Sequence, residues 1–417
     1  MRTRAVRALL PVAVAAACLA GAGPVSAQLV LGQYEDEAPL GTWNIFGAPS
    51  APSVGLGVSF VRATDPSISL TNPALLAGLP RISIMLSGSY AAASLYKYSF
   101  VNTGVVSSDG NLAAGVLGFD HGAFAFRIGE WAFALAAAVP ESYARPAVLA
   151  GFEGEGMSYE LSLDQTGRLR LFQGAIARRL AAGFSVGLGL NYASGTLGRL
   201  IVERTATAER VVTITDDKSE RLHGLFLNGG VSWEATRRLT ASLVFRSPYM
   251  KKGDGRSLLR YEVPEAGTDI RIDAEAVNEY LQPWIVGAGA AYSLSEAWSF
   301  AAELAWFGWS AYEVTYYDEP LVRSFRNVVR AGAGGEYLAP ARMFGKSVMI
   351  PFRAGVVFDP QPMREPRSSY LALALGTGLR LGAMAVDISG HIGRESGSGD
   401  SLKAAKIVLS LRYVIDE

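Results

Sequence analysis

The stretch Gly183-Phe184-Ser185-Val186-Gly187-Leu188-Gly189-Leu190-Asn191-Tyr192 sorts its side chains by parity. Phe184, Val186, Leu188, Leu190 and Tyr192 are large and apolar, and the residues between them are glycine, serine or asparagine. A helix cannot separate them this way, whereas a strand points alternate residues to opposite faces. The segment is therefore a strand with one wholly apolar side. Its length matches the roughly 9 to 11 residues that cross a membrane as a tilted strand, one face on lipid and one on the lumen.

The pattern continues outward from there. Leu371, Leu373, Leu375, Leu379 and Leu381 face one way, with Ala372, Ala374, Gly376, Gly378 and Arg380 opposite. The terminal segment sets Ile407, Leu409, Leu411, Tyr413 and Ile415 against Lys406, Val408, Ser410, Arg412 and Val414, as a closing strand would. Similar alternation occupies 225–233, 241–246, 284–294, 298–306, 327–337, 350–358 and 384–392, with less regular segments at 81–90, 111–128, 131–139 and 168–180. The reading is all-β: a transmembrane antiparallel β-barrel of about 14 strands over 81–417, an even number as in bacterial single-chain barrels. Soluble sandwiches carry polar outer faces, and this consistently apolar face needs lipid.

Short turns near 129–130, 181–182, 234–237, 295–296 and 381–383 alternate with expected long loops at 141–166, 195–219, 247–282, 310–324, 359–368 and 393–402. Short turns belong to the periplasmic end and long loops to the outside. The stretch 339–346 is longer than a periplasmic turn should be. Trp131, Trp233 and Trp298 flank short turns, and Trp284, Trp306 and Trp309 flank long loops, which reads as two interfacial girdles.

The first 27 residues read as a signal peptide: Arg2, Arg4 and Arg7, an apolar stretch over 8–20, then Val25-Ser26-Ala27 at the cleavage site. The one cysteine, Cys18, falls inside it, and Ala15-Ala16-Ala17 lacks the leucine of a lipobox. A chain matured at Gln28 has no disulfide, thiolate metal site or cysteine nucleophile. Lysine plus arginine equal aspartate plus glutamate at 38 each, so no basic excess points to nucleic acid. The expected partners are outer-membrane lipid and, during biogenesis, the barrel-assembly machinery. Between leader and barrel, 28–80 is rich in glycine, proline and serine and reads as a plug, or hatch, folded into a lumen too wide for wall side chains to fill, with a flexible periplasmic segment as the alternative.

Within that plug, Asp65-Pro66-Ser67-Ile68-Ser69-Leu70-Thr71-Asn72-Pro73-Ala74-Leu75-Leu76 resembles the Asn-Pro-Ala motif of the long-chain fatty-acid transporter family of outer-membrane proteins, FadL and TodX. There the motif lies in the hatch before the first strand. Gln282-Pro283-Trp284, Trp298, Trp306 to Trp309, and Arg353-Ala354-Gly355-Val356-Val357-Phe358-Asp359-Pro360 extend the resemblance. It implies passive uptake of a hydrophobic or amphipathic small molecule such as a long-chain fatty acid. Phe46, Ile68, Leu70, Leu75 and Leu76 would line the slot, and Asn72, Pro73 and Ala74 would shape the hatch. PorV-like barrels of a secretion system carry a similar motif and stand as the alternative.

Arg246, Glu303, Arg326, Arg330, Glu336, Arg353, Arg380, Asp387, Lys406 and Arg412 fall on the expected lumen face. Most read as a paired ladder bracing the wall, with Arg330 or Arg353 free to meet a substrate carboxylate. A third reading, a lipid hydrolase, would rest on Ser389 and His391, about 7 Å apart by strand geometry and too far for a direct hydrogen bond. No H-E-x-x-H, P-loop or dinucleotide motif occurs, so no catalytic site, metal or cofactor is expected.

Overall fold

The computed structural model describes residues 50–62, 64–95, 98–99, 107–108, 112–143, 145–154, 156–316, 319–321, 325–343, 345–362, 364–365, 367–397 and 403–416. The expected leader and Phe46 lie outside the described residues. The wall strands are β1 (Ile82–Leu95), β2 (Leu112–Ile128), β3 (Trp131–Ser142, continued by Arg145–Gly154), β4 (Met157–Arg179), β5 (Phe184–Thr207), β6 (Val211–Glu234) and β7 (Leu239–Arg246, continued by Tyr249–Val263). They go on as β8 (Thr268–Gln282, continued by Ile285–Ser293), β9 (Trp298–Phe307, continued by Glu313–Tyr316), β10 (Glu319–Leu321, continued by Val328–Met343), β11 (Lys346–Pro360), β12 (Ser369–Leu381), β13 (Met384–Ser396) and β14 (Lys403–Ile415). Each pairs antiparallel with its sequence neighbours, and β1 pairs with both β2 and β14, which closes a 14-strand barrel.

The parity read in the sequence is the parity of the wall. Leu188 (51% exposed), Leu190 (52%), Leu371, Leu373, Leu409 and Leu411 form an outward apolar belt, while Asn191, Ala372, Ala374 and Ser410 turn inward and are buried. Trp131, Trp233, Trp284, Trp298 and Trp306 face outward as a girdle requires. Trp309 does not: it is 8% exposed and folded inward against Tyr312 and Phe325.

Two expectations are corrected. Segments 141–166, 195–219 and 247–282 are chiefly strand, because β3 and β4 stay paired from Arg145–Gln165 to Gly154–Met157, β5 and β6 from Phe184–Trp233 up to Ala206–Val211, and β7 and β8 from Tyr249–Gln282 to Val263–Thr268. In these extensions the exposed residues are mixed, Thr196, Ser219 and Arg221 standing among Leu200, Ile272 and Val277, so the strict apolar alternation disappears while the hydrogen-bonded ladder continues. The stretch 339–346 is a tight turn, with β10 and β11 paired as far as Met343–Lys346 and Gly345 at φ +75. Six short connections and both barrel termini thus share one end, the periplasmic one.

The described part of the hatch, 50–80, lies inside the barrel. Its elements are α1 (Ala51–Leu56) and two 3-10 turns, Pro66–Leu70 and Pro73–Gly78. Proline fits the first position of each turn because that N–H has no partner there anyway. Asp65 and Asn72 cap the turns, accepting from Ser67 N at 3.0 Å and Ala74 N at 3.2 Å. Glycines in the wall admit the hatch backbone: a Cβ on Gly187 would strike Pro73, and one on Gly334 would strike Leu56 O.

Candidate functional site

Polar side chains of the wall hold the hatch at its backbone. Gln173 (β4) and Asn228 (β6) each donate to Ser69 O at 3.0 Å, and Asn191 (β5) donates to Asn228 Oδ1 at 2.8 Å. Glu303 (β9) accepts from Ser59 N at 2.8 Å, Ser59 Oγ at 2.7 Å and Phe60 N at 3.0 Å. Asn72 donates to Phe60 O at 2.8 Å, so the Asn-Pro-Ala turn and the Ser59-Phe60 segment brace each other. Buried donors and acceptors left open cost about 1–3 kcal/mol each, which is why these contacts fix the hatch's position.

Over this floor lies a cavity of about 260 Å³. Val54, Ser59, Phe60, Leu70 and Thr71 of the hatch close it below, and Leu169, Leu171, Ala193, Phe226, Val244, Ala305, Phe307 and Val328 form its apolar walls. Aromatic rings crowd its upper rim: Phe226 stacks on Tyr249 with centroids 4.5 Å apart, and Trp309 packs edge-on against Phe325. Above them Lys251, 1% exposed, donates to Tyr143 Oη at 3.1 Å and lies 3.4 Å from Glu141 and 5.3 Å from the Tyr280 ring. Tyr280 in turn donates to Glu220 at 2.9 Å.

Two guanidinium groups reach the cavity. Arg246 lies 5.8 Å over the Phe226 ring with Nε unpartnered, and Arg330 stands 3.8 Å from Glu303, beyond hydrogen-bond reach, with Nη2 unpartnered. Arg353 is placed elsewhere: fully buried, it donates to Glu336 and Asp387 at 2.7 Å each, and Arg62 of the hatch meets the same Glu336 at 2.7 Å. Ile68, Leu75 and Leu76 pack on wall alanines 125, 132, 134, 175 and 177, away from the cavity. Leu70 and Arg330 are thus the named candidates that the fold brings together at it.

At the cavity's edge the ladder lapses. Ala138 pairs with Leu171 and Glu141 with Leu169, leaving Val139 and Pro140 against one residue of β4. Pro140 has no N–H to offer that ladder, and both residues line the cavity. Arg246, Phe226, Tyr249 and Trp309 were not singled out as site residues from sequence; they come from β7, from β6 and from the turn after Phe307, and no single local spacing links them.

Residues 52–371 match the family model described as outer membrane protein transport protein (OMPP1/FadL/TodX). No curated protein matches the chain. Among solved structures, a Pseudomonas aeruginosa FadL homologue has TM-score 0.62 and 16% identity, covering 89% of this chain and 98% of its own. The Ralstonia pickettii toluene transporter TbuX has TM-score 0.61 and 13% identity, with 90% and 100% covered. The P. putida toluene transporter TodX has TM-score 0.60 and 11% identity, with 89% and 100% covered. At those identities the likeness is one of fold.

Proposed function

The chain belongs to the OMPP1/FadL/TodX family of outer-membrane transport proteins, and from that premise we propose that it takes up hydrophobic or amphipathic small molecules passively, long-chain fatty acids among them. The observation that carries the reading is the largely apolar cavity between hatch and outer strands, with the Arg330 guanidinium on its wall, ion-paired with Glu303 at 3.8 Å and its Nη2 without a hydrogen-bond partner. Apolar walls with few polar fixings suit a ligand that must be held and then released. A carboxylate headgroup would take Arg330, with Arg246 as the second cation, and the acyl chain would lie on Phe226, Leu169 and Leu171. Release would follow a shift of the hatch, or run sideways past Val139 and Pro140.

The cavity's volume favours a second reading, a monoaromatic hydrocarbon, since an apolar cavity of about 150 Å³ already admits benzene. Binding of oleate and of toluene to the purified protein separates the two. Saturable oleate binding that weakens in Arg330→Gln supports the fatty-acid reading. Toluene binding indifferent to Arg330 supports the second, and binding of neither would move the assignment to a secretion-associated barrel.

A further inference from the structure

Above the lipid belt, the outward face of β4 to β7 carries cations in ranks set by the strand register. Arg170, Ser194, His223 and Lys252 stand side by side on the four strands, and Arg168, Thr196, Arg221 and Asp254 form the next rank outward. Neighbouring strands lie about 4.8 Å apart, so each rank is about 14 Å wide. The parity is certain from the neighbours: Phe172 (49% exposed), Tyr192 (47%) and Leu225 (60%) face outward directly below, while Leu169, Leu171, Ala193 and Leu222 are buried.

The height of the ranks follows from the chain. Phe184 and Trp233 stack at the periplasmic interface, centroids 5.5 Å apart, and Ser194 and His223 lie ten residues farther along their strands. A rise of about 3.3 Å per residue at a tilt of about 40° places them roughly 25 Å higher, at the upper edge of an apolar band of that height. Much of the charge is uncommitted. Lys252 is engaged by Glu279 at 2.8 Å and Arg256 by Asp273 at 2.5 Å, and Asp254 stands opposite Arg221 in register. Arg168, Arg170 and Arg221 make no ion pair or side-chain hydrogen bond among the described residues, and all three are exposed.

We propose that this flank binds a phosphate-headed acyl lipid of the outer leaflet, its phosphate on Arg168, Arg170 and Arg221 and its chains against Phe172, Tyr192 and Leu225. Guanidinium groups recognise phosphate by paired N–H donors, and the aromatic and leucine side chains beneath supply the acyl contact that a soluble anion has no use for. The site is separate from the lumen cavity and does not depend on the transported compound.

The test is native mass spectrometry of the full-length protein in detergent with dioleoylphosphatidic acid. The Arg168→Gln/Arg170→Gln/Arg221→Gln variant is expected to retain about tenfold less lipid than wild type. Substituting lysine at the same positions should restore part of it, and the periplasmic control Arg237→Gln/Arg238→Gln should behave as wild type. Diolein, with the same chains and no phosphate, should not bind, and millimolar inorganic phosphate should not displace the lipid. Undiminished lipid on the triple glutamine variant, with its heat-modifiable gel shift intact, overturns the proposal, as does displacement by inorganic phosphate.

Discussion

The side-chain oxygen of Asn72 occupies the space that a Cβ on Gly230 would need. Asn72 is fully buried, accepts from Ala74 N at 3.2 Å and donates to Phe60 O at 2.8 Å, so it has little freedom to retreat. Gly230→Ala is therefore expected to destabilise the closed form by about 1–3 kcal/mol, the usual cost of forcing a methyl into a filled site. Pairing it with Asn72→Ala removes the collision, so the double variant should cost less than the sum of the singles. Thermal unfolding of the four proteins in detergent measures this, and strict additivity would show that the hatch motif does not seat on Gly230.

Glu303 links the wall to the hatch through Ser59 and Phe60. Glu303→Ala leaves two backbone donors and the Arg330 cation without their carboxylate, a loss of about 3–5 kcal/mol for a buried charged group stripped of its partner. Hydrogen exchange at the Ser59 and Phe60 amides should accelerate while wall amides stay protected. Unchanged exchange at both would sink the assignment of Glu303 as the hatch anchor.

Arg330 and Arg353 are expected to separate in function. Arg353 is surrounded by Glu336 and Asp387 in a fully buried cluster, so Arg353→Gln should lower stability and leave ligand affinity per folded molecule unchanged. Arg330→Gln should weaken binding of a carboxylate-bearing amphiphile by about 10-fold or more, with little change for an uncharged hydrocarbon. Calorimetric titration of oleate and toluene into both variants decides it.

The outer hairpin of β7 and β8 should respond to acid in a defined window. Arg260 donates to both oxygens of Asp269 at 3.0 and 2.9 Å, and Arg256 to both of Asp273 at 3.0 and 2.5 Å. These hydrogen bonds, opposed by a smaller desolvation effect, hold both carboxyls below the usual aspartate range. A lowered folded value means the pairs contribute in full above the ordinary aspartate value of about 3.9 and fade only as pH falls through the lower folded values. Carboxyl carbon titrations by NMR should give midpoints below about 3.9, with that of Asp273 rising in Arg256→Gln; wild-type midpoints at or above it would contradict the pairing.

The membrane itself made the wall legible. Lipid demands an apolar residue at every second position, so segments such as 183–192 and 371–381 show their strands and their facing without any partner in view. Once β5 and β6 leave the bilayer, Thr196, Arg221 and Ser219 replace the leucines, and the same pairing reads as loop. The hatch turn at Asn72-Pro73 was visible because its cap and proline are adjacent in sequence. The cavity was not, because Phe226, Arg246, Ala305 and Trp309 meet only after the sheet closes.

The wall is unequal in height. β5 and β6 run 24 residues each, while β12, β13 and β14 run 13 each. At about 2.5 Å of height per tilted residue, one flank rises to roughly 60 Å and the other to roughly 33 Å. The outer rim is thus oblique, and the lumen opens toward one compass direction along the cell surface. A compound diffusing laterally over that surface would be received from the low side and checked by the tall one, so the barrel's rotational orientation among its neighbours would govern what it can collect.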